Sequence, residues 1–546
     1  MRYAAGMSGV KLVLAVIAGL ALAWWAQALP APAPLDAPPE AFSAMRARKD
    51  VAWIASEPHP VGSAAHATVR NRLVSRLAEL GLGARLQHVT DVELARTHEH
   101  VQLDNIVARV AGHDPTLPPL LLMSHYDSVP RSPGAADDGA GVATMLEVAR
   151  ILRLQQPARD VLLVFSDGEE AGLLGSKAFF ADDTAARSLG AFVNLDARGG
   201  AGPTYLFELG ASSDGMLAAF AREAPRSTTS SFAAFVYDHM PNGTDFTTGK
   251  LRGVPGLNFA FIGDPRQYHT PIATVDALSM STLQHMGDQT LTAVRVLSRA
   301  ALPAHASPRA WADLFGHVVI VYPAWLGWIL IAVAALLVGA SYHHTPRAAG
   351  LASGGLYIVC LLAVAALLLS GNALFLAPPG REHFIGLVSS VERFEVAICL
   401  VILAAMLLVA RFVGRRTELP AQVTWLGLLS LAVVVAAGAQ AAAPRVTILL
   451  VWPLLPASLA LFASKRAPWL VPVAAALGTG LVLDWGHEFY LGLGLFRPNL
   501  MAPLALLGSV CLYPLVAAVA TSKHGGRVAG ALLLVGCAVT LSIRFS

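Results

Sequence analysis

From about His317 onward this 546-residue chain is apolar almost to its end. Candidate spans fall near 317–340, 350–372, 394–413, 421–442, 446–463, 469–484, 500–521 and 527–543. Each is close to the roughly 20 residues a helix needs to cross a bilayer. A further apolar stretch, VKLVLAVIAGLALAWWAQAL, runs from Val10 to Leu29. The charged fraction supports the same reading. It is 14%, where a soluble domain carries about 25%. A large buried all-α core is the competing explanation, and eight such stretches with few internal charges oppose it. The sequence therefore predicts an all-α membrane domain of about eight helices over 306–546 and a transmembrane anchor over 1–29. A cleaved signal peptide is the alternative for the first span.

Loop charges give an orientation. Arg2 and Lys11 lie before or early in the first span, and no Lys or Arg follows it until Arg46. This places the N-terminus in the cytoplasm and residues 40–305 on the opposite side. Arg347, Arg415, Arg416, Lys465, Arg466, Lys523 and Arg527 fall in loops that would be cytoplasmic, against Arg381, Arg445 and Arg497 on the other side. The catalytic region would be periplasmic in a bacterium and luminal in a eukaryote. The bilayer is thus one expected partner. A net charge of +3, with no basic stripe interleaved with aromatics, excludes nucleic acid as another. No residue pattern sets an oligomeric state.

Between the membrane segments lies a stretch of ordinary composition. Residues 30–39 (PAPAPLDAPP) read as a stiff linker. Residues 40–56 and 64–81 have helical spacing. After them, apolar runs at 105–112, 119–127, 159–167, 190–197, 204–210 and 256–263 alternate with helical segments at 141–152, 171–181, 213–223 and 274–299. This alternation predicts an α/β sandwich with a mostly parallel sheet over residues 40–305. Ligands of such sheets bind beyond the carboxyl ends of the strands. All four cysteines, Cys360, Cys399, Cys511 and Cys537, lie in the second half. A disulfide scaffold or a thiolate metal site in the first half is thereby excluded.

Polar residues gather where the strands end. They are His125-Tyr126-Asp127, Gly134-Ala135-Ala136-Asp137-Asp138-Gly139, Glu169-Glu170, Asp196, and Tyr268-His269-Thr270. Each has an ordinary reading alone. A histidine at a strand end is commonly structural, Asp137 or Asp138 can cap the following helix, and Asp196 can be a turn residue. Together they bring two imidazoles and several carboxylates to one sheet edge. Crowded carboxylates repel, so a bound cation is the natural stabiliser. Ligands of this type without thiolate suit a catalytic zinc site with an open position.

In order and spacing these motifs resemble the M28 family of di-zinc aminopeptidases, over roughly residues 45–300. PHPVGS (58–63), PNGTDF (241–246) and the C-terminal spans are similar to its membrane-bound branch. The resemblance implies a three-layer zinc-exopeptidase sandwich and two Zn2+ per chain. It implies that His125 and Asp196 bind one ion, Glu170 and His269 the other, and that Asp138 bridges them. Asp127 would orient the His125 ring, and Glu169 would be the general base, activating a water made acidic by the metal. A peptide with a free N-terminus would be the substrate.

Arg198, Tyr237, Asn242, Thr244, Asp245, His59 and Tyr268 lie in segments expected to reach the same edge and are candidate substrate contacts. Asn242-Gly243 reads equally as a turn, and Arg198 as a surface charge. His239, His285, His343 and His344 read as structural. Asp484, Trp485, His487 and Glu488, and Glu392, Arg393 and Glu395, read as interfacial residues. Three alternatives compete with a peptidase. They are a glutaminyl cyclase-like acyltransferase of the same fold with one zinc, a non-catalytic receptor-like ectodomain, and a transporter fused to a peptidase. The complete ligand set opposes the first two. No paired, broken spans support the third.

Overall fold

The computed structural model describes residues 2–95, 98–240, 242–302, 307–342, 346–376, 390–494 and 498–544. The expectations for His343, His344, Arg381 and Arg497 fall outside the described residues. The chain divides into two compact units, one of Gln27–Val321 and one of Met1–Ala26 with Tyr322–Ser546. The N-terminal helix α1 (Arg2–Ala26) belongs to the second.

The Gln27–Val321 unit is built on a seven-stranded sheet. Its strands are β1 (Ala84–Glu93), β2 (His100–Val110), β3 (Leu120–His125), β4 (Val161–Ser166), β5 (Ala191–Ala197), β6 (Ala201–Leu209) and β7 (Gly256–Gly263). They lie in the order β1-β2-β4-β3-β5-β7-β6. The central run β4-β3-β5-β7 is parallel. The pairings β1 with β2, β2 with β4 and β6 with β7 are antiparallel. The sheet is mixed, and its centre is the parallel part that carries the strand ends of interest.

Two helical layers cover this sheet because its strands are apolar on both faces. Side chains alternate along a strand. Leu120, Leu122, Leu163 and Phe165 join a core shared with α2 (Ala44–Ile54), α4 (Gly139–Leu154) and α9 (Met280–Leu297). Leu121, Met123, Leu162 and Val164 join a second core with Phe179 and Phe180 of α5 (Leu174–Asp182) and Phe246 of α8 (Asp245–Leu251). The remaining helices are α3 (Ala64–Glu79), α6 (Asp214–Glu223) and α7 (Ser231–Asp238). Side-chain caps start several of them: Ser43 accepts from Arg46 N, Ser63 from His66 N, and Ser279 from Thr282 N. The result is a three-layer α/β sandwich.

The Pro/Ala-rich segment does not run free. Arg46 donates to the carbonyls of Leu35, Ala37 and Ala41, and Arg150 to that of Pro39. Gln284 Oε1 accepts the Ala33 N–H at 2.9 Å. At its other end the unit extends beyond the expected limit of 305. Strands β8 (Arg309–Leu314) and β9 (Val318–Pro323) form a hairpin, and Trp311 is buried with its indole N–H on Thr229 at 3.0 Å. The apolar run beginning at His317 thus opens as a strand, and the first helix after it starts at Leu326.

The other unit is helical among its described residues. After α1 it comprises α10 (Leu326–Ser341), α11 (Arg347–Leu376), α12 (Val391–Thr417), α13 (Ala421–Ala442), α14 (Ile448–Ala463), α15 (Leu470–Phe489), α16 (Ala502–Ala520) and α17 (Gly525–Arg544). Among the described residues, seven helices are long and apolar enough to cross a membrane, and α10 and α14 are shorter apolar helices. Small residues permit close packing: a Cβ on Gly19 of α1 would lie 2.6 Å from Thr479 of α15. His487 and Glu395 are bonded across α15 and α12, Nδ1 to Oε1, at 2.9 Å.

Candidate metal centre

The parallel register brings the strand ends level. His125 closes β3 opposite Ser166 of β4, and Asp196 lies near the end of β5. The chain leaves β4 through Asp167 and Gly168, whose φ of +66° suits a glycine, and reaches Glu169 and Glu170. His269 follows β7 at a φ of +58°. Asp137 and Asp138 precede α4 and are joined by a cis peptide bond.

Two ligand groups form around one carboxylate. His125, Asp137 and Asp196 make one, and Asp137, Glu170 and His269 the other, with the ligand atoms of each group within 4.8 Å of one another. Asp137 Oδ1 lies 3.1 Å from His125 Nε2, and Asp137 Oδ2 lies 3.2 Å from His269 Nε2. Asp137, rather than the expected Asp138, thus lies between the two candidate groups. Asp138 turns away, accepts the Gly141 N–H at 3.1 Å as the cap of α4, and takes the Ser124 hydroxyl on its other oxygen. Adjacent residues at a turn face different ways, and the cap here falls to the second aspartate.

The donor set fits a divalent cation. Glu170 Oε1 and His269 Nε2 face each other at 3.0 Å, yet both are buried and neither makes a hydrogen bond of good geometry. Burial, then the charge of Asp137, pushes Glu170 up to about 7 and Asp196 up to about 8. His269 is raised to about 10, because Asp137 and Glu170 outweigh the burial that disfavours its imidazolium. These displacements express unbalanced negative charge, which a cation would relieve.

Asp127 organises the surroundings. Its backbone carbonyl accepts from His125 Nδ1 at 3.0 Å, which leaves Nε2 turned to Asp137. Its carboxylate stands 3.5 Å from the same ring and accepts the N–H groups of Glu169 and Glu170 at 3.0 and 3.3 Å. Glu169 is held well above the usual carboxylate range by burial, with Asp196, Asp245 and Glu170 adding to it.

Residues 105–294 match the model of peptidase family M28. This segment is an M28 peptidase domain. The vacuolar membrane protease of Eremothecium gossypii is 30% identical over 297 residues, covering 50% of this chain and 29% of that protein. Endoplasmic reticulum metallopeptidase 1 of Homo sapiens is 31% identical over 244 residues, covering 43% of this chain and 27% of that protein. The chain therefore spans under a third of the length of these curated relatives. With its apolar helices, this likeness supports a multi-pass membrane protein carrying a segment similar to the membrane-bound M28 peptidases. Among solved structures, the aminopeptidase from Aneurinibacillus sp. strain AM-1 aligns at a TM-score of 0.40 and 15% identity, over 50% of this chain and 97% of that one. A Porphyromonas gingivalis glutaminyl cyclase aligns at 0.38 and 22%, over 46% and 98%.

The expected substrate contacts of the M28 domain divide into two sets. Tyr237 and Tyr268 stand near the cluster. Burial raises both phenols; Glu208, Asp196 and Glu169 add to it at Tyr237, and Asp137, Glu170 and Asp196 at Tyr268. Tyr268 stacks on His269 with ring centres 3.7 Å apart, and the Arg198 guanidinium lies 5.7 Å from the Tyr268 ring centre. Of the others, Asp245, Thr244 and His59 are engaged by neighbouring groups of the fold. Asp245 is buried and takes the Ser166 hydroxyl. Thr244 caps α8 and accepts Asn258 Nδ2 at 3.0 Å, and Asn242 is exposed. His59 is buried, with Nδ1 on the Glu57 carbonyl at 2.9 Å and its N–H on Ser128 Oγ at 2.9 Å. His285 bridges Thr204 N and the Arg226 carbonyl, and burial lowers it to about 4.

Sequence reasoning missed one buried network under the site. Tyr126 stacks on His66, Tyr126 donates to Asp167 Oδ2 at 3.0 Å, and His66 Nε2 lies 2.8 Å from Asp167 Oδ1. Tyr126 and Asp167 each lie beside a motif that drew attention. His66 has no sequence signal; it lies in the first turn of α3, outside the strand-end motifs.

Proposed function

We propose that the M28 domain is a zinc-dependent aminopeptidase that hydrolyses the first peptide bond of substrates with a free N-terminus. The observation that carries this reading is the placement of Glu169. Its neighbour Glu170 belongs to a ligand group, both backbones are fixed by one carboxylate, and the Glu169 carboxyl is buried within the field of His125 and Asp196. His125, Asp137 and Asp196 would hold one zinc ion, and Asp137, Glu170 and His269 a second. Zinc at such ligands supplies Lewis acidity that polarises a carbonyl and brings the pKa of water to about 7.

Glu169 then takes a proton from the attacking water and delivers it to the leaving amine, the ordinary work of a carboxylate whose basicity burial has raised. Tyr237, kept protonated by its raised pKa, can donate a hydrogen bond where charge develops on the carbonyl oxygen. Two ligand groups sharing Asp137 support two ions rather than the single zinc of a cyclase-like enzyme. The loop charges support placing the domain on the non-cytoplasmic side.

Glu169→Gln in the full chain is the direct test. Turnover of aminoacyl-peptides should fall by about 10²–10⁴-fold, with zinc content near that of the parent. N-terminal acetylation of the peptide should abolish cleavage by the parent. Full activity in the Glu169 variant, or equal cleavage of acetylated peptide, would refute the mechanism or the aminopeptidase reading respectively.

A further inference from the structure

The part-buried arginines of the α/β unit generally have partners. Arg46 bonds to Glu147 at 2.7 Å, Arg76 to Asp50 at 3.0 Å, and Arg159 to the carbonyls of Pro118, Arg299 and Ala300. Arg198 differs. It is half-buried, two residues beyond Asp196, and among the described residues its guanidinium meets the Tyr268 ring and no carboxylate. A ring face leaves the edge donors of a guanidinium available.

Its position is fixed from behind. Arg198 N–H bonds to the Phe261 carbonyl and Gly200 N–H to the Gly263 carbonyl, both at 2.9 Å. The backbone there admits no side chains: a Cβ on Gly199 would lie 2.1 Å from the Gly263 oxygen, and one on Gly200 would lie 1.9 Å from the Gln267 side chain. The loops after β5 and β7 are thus zipped together, and Arg198, Tyr268 and His269 form a row that ends at a candidate zinc ligand. One or two peptide residues, at about 3.8 Å between consecutive Cα atoms, span such a row.

We propose that Arg198 reads a carboxylate of the substrate close to the scissile bond, so that the enzyme favours peptides with an acidic group there. The group is either an acidic side chain or the α-carboxylate of a short peptide. An arginine beside an aromatic ring keeps its N–H fork free, and two N–H donors of that fork match a carboxylate. This deepens the peptidase reading and rests on it.

Two matched pairs of peptides test it on the full chain in detergent. Ala-Glu-amide against Ala-Gln-amide reads a side-chain carboxylate, and Ala-Ala against Ala-Ala-amide reads a terminal one. The acid member of at least one pair should have about tenfold higher kcat/KM, and which pair responds identifies the source. Arg198→Gln should bring that ratio to about one, and Arg198→Lys, which keeps the charge and loses the fork, should retain part of it. Binding of the same pairs to the Glu169→Gln chain, measured by calorimetry, reads the preference without turnover. Ratios near one in the parent for both pairs, or a ratio that Arg198→Gln leaves unchanged, overturn the assignment. Absence of hydrolysis overturns the peptidase reading instead, and the binding ratios then decide the role of Arg198 alone.

Discussion

The Asp127 carboxylate receives the Glu169 backbone N–H at 3.0 Å. Its second oxygen receives the Glu170 N–H, and its own carbonyl holds the His125 ring. One residue after β3 therefore sets a ligand on its own strand and both glutamates after β4. Asp127→Ala removes the acceptor for two amides at once. We expect activity to fall about 10–100-fold, the usual effect of losing a group that orients metal ligands. Asp127→Asn, which keeps one acceptor, should lose less. Steady-state kcat with zinc analysis checks this, and an unaltered kcat in the alanine variant would contradict it.

The two neighbouring aspartates should separate cleanly. Asp137→Asn removes the charge that faces both His125 and His269, and zinc should be lost with activity. Asp138→Asn retains an oxygen for Gly141 N–H, and asparagine caps helices as well as aspartate does. Its zinc content should stay close to that of the parent. Asp138→Ala should cost about 1 kcal/mol of stability through the lost cap. Metal analysis of the two asparagine variants decides the matter; greater zinc loss from the Asp138 variant would restore it as the bridge.

Chelation should make stability depend on pH. Glu170 and Asp196, at about 7 and about 8, both lie above the roughly 4 of an unfolded carboxyl. The fold binds more protons than the unfolded chain across that interval, so the contribution is full below about pH 4 and disappears as pH rises through 7 to 8. The chelated protein should therefore melt at lower temperature at pH 8 than at pH 5. Zinc should remove most of the difference. Thermal unfolding with chelator at the two pH values tests this, and a higher Tm at pH 8 would oppose the sign.

Reporter fusions after residues 200 and 525 should report opposite sides of the membrane. The first lies in the M28 domain, and the second sits between Lys523 and Arg527, charges that favour the cytoplasm. Signals from one side for both would overturn the orientation.

The sequence carried the strongly apolar parts of this fold well. Strands β3, β4, β5 and β7 are buried on both faces and stand out as apolar runs, and α4 and α9 follow from their spacing. β1 was not legible, because ARLQHVTDVE is an edge strand without a fully buried residue. Helices α7 and α8 have 8 and 7 residues, too few for a helical period to show. Strand β9 was read into a membrane span because HVVIVYP is apolar irrespective of conformation. At the site, residue types and order pointed to the strand ends that the structure brings together, and telling Asp137 from Asp138 in the two candidate groups required the backbone. Asp245 and His59 illustrate the converse: polar residues near a motif can serve the scaffold by satisfying buried donors and acceptors.

The position of Asp137 between the two imidazoles has a consequence for how the centre fills. A carboxylate with one oxygen toward each ligand group makes their occupancies interdependent. If each group takes an ion as proposed, an ion in the first would polarise a carboxylate shared with the second, and the second would influence the first to the same degree. The two loadings would then appear as coupled macroscopic steps, with neither affinity belonging to a single site.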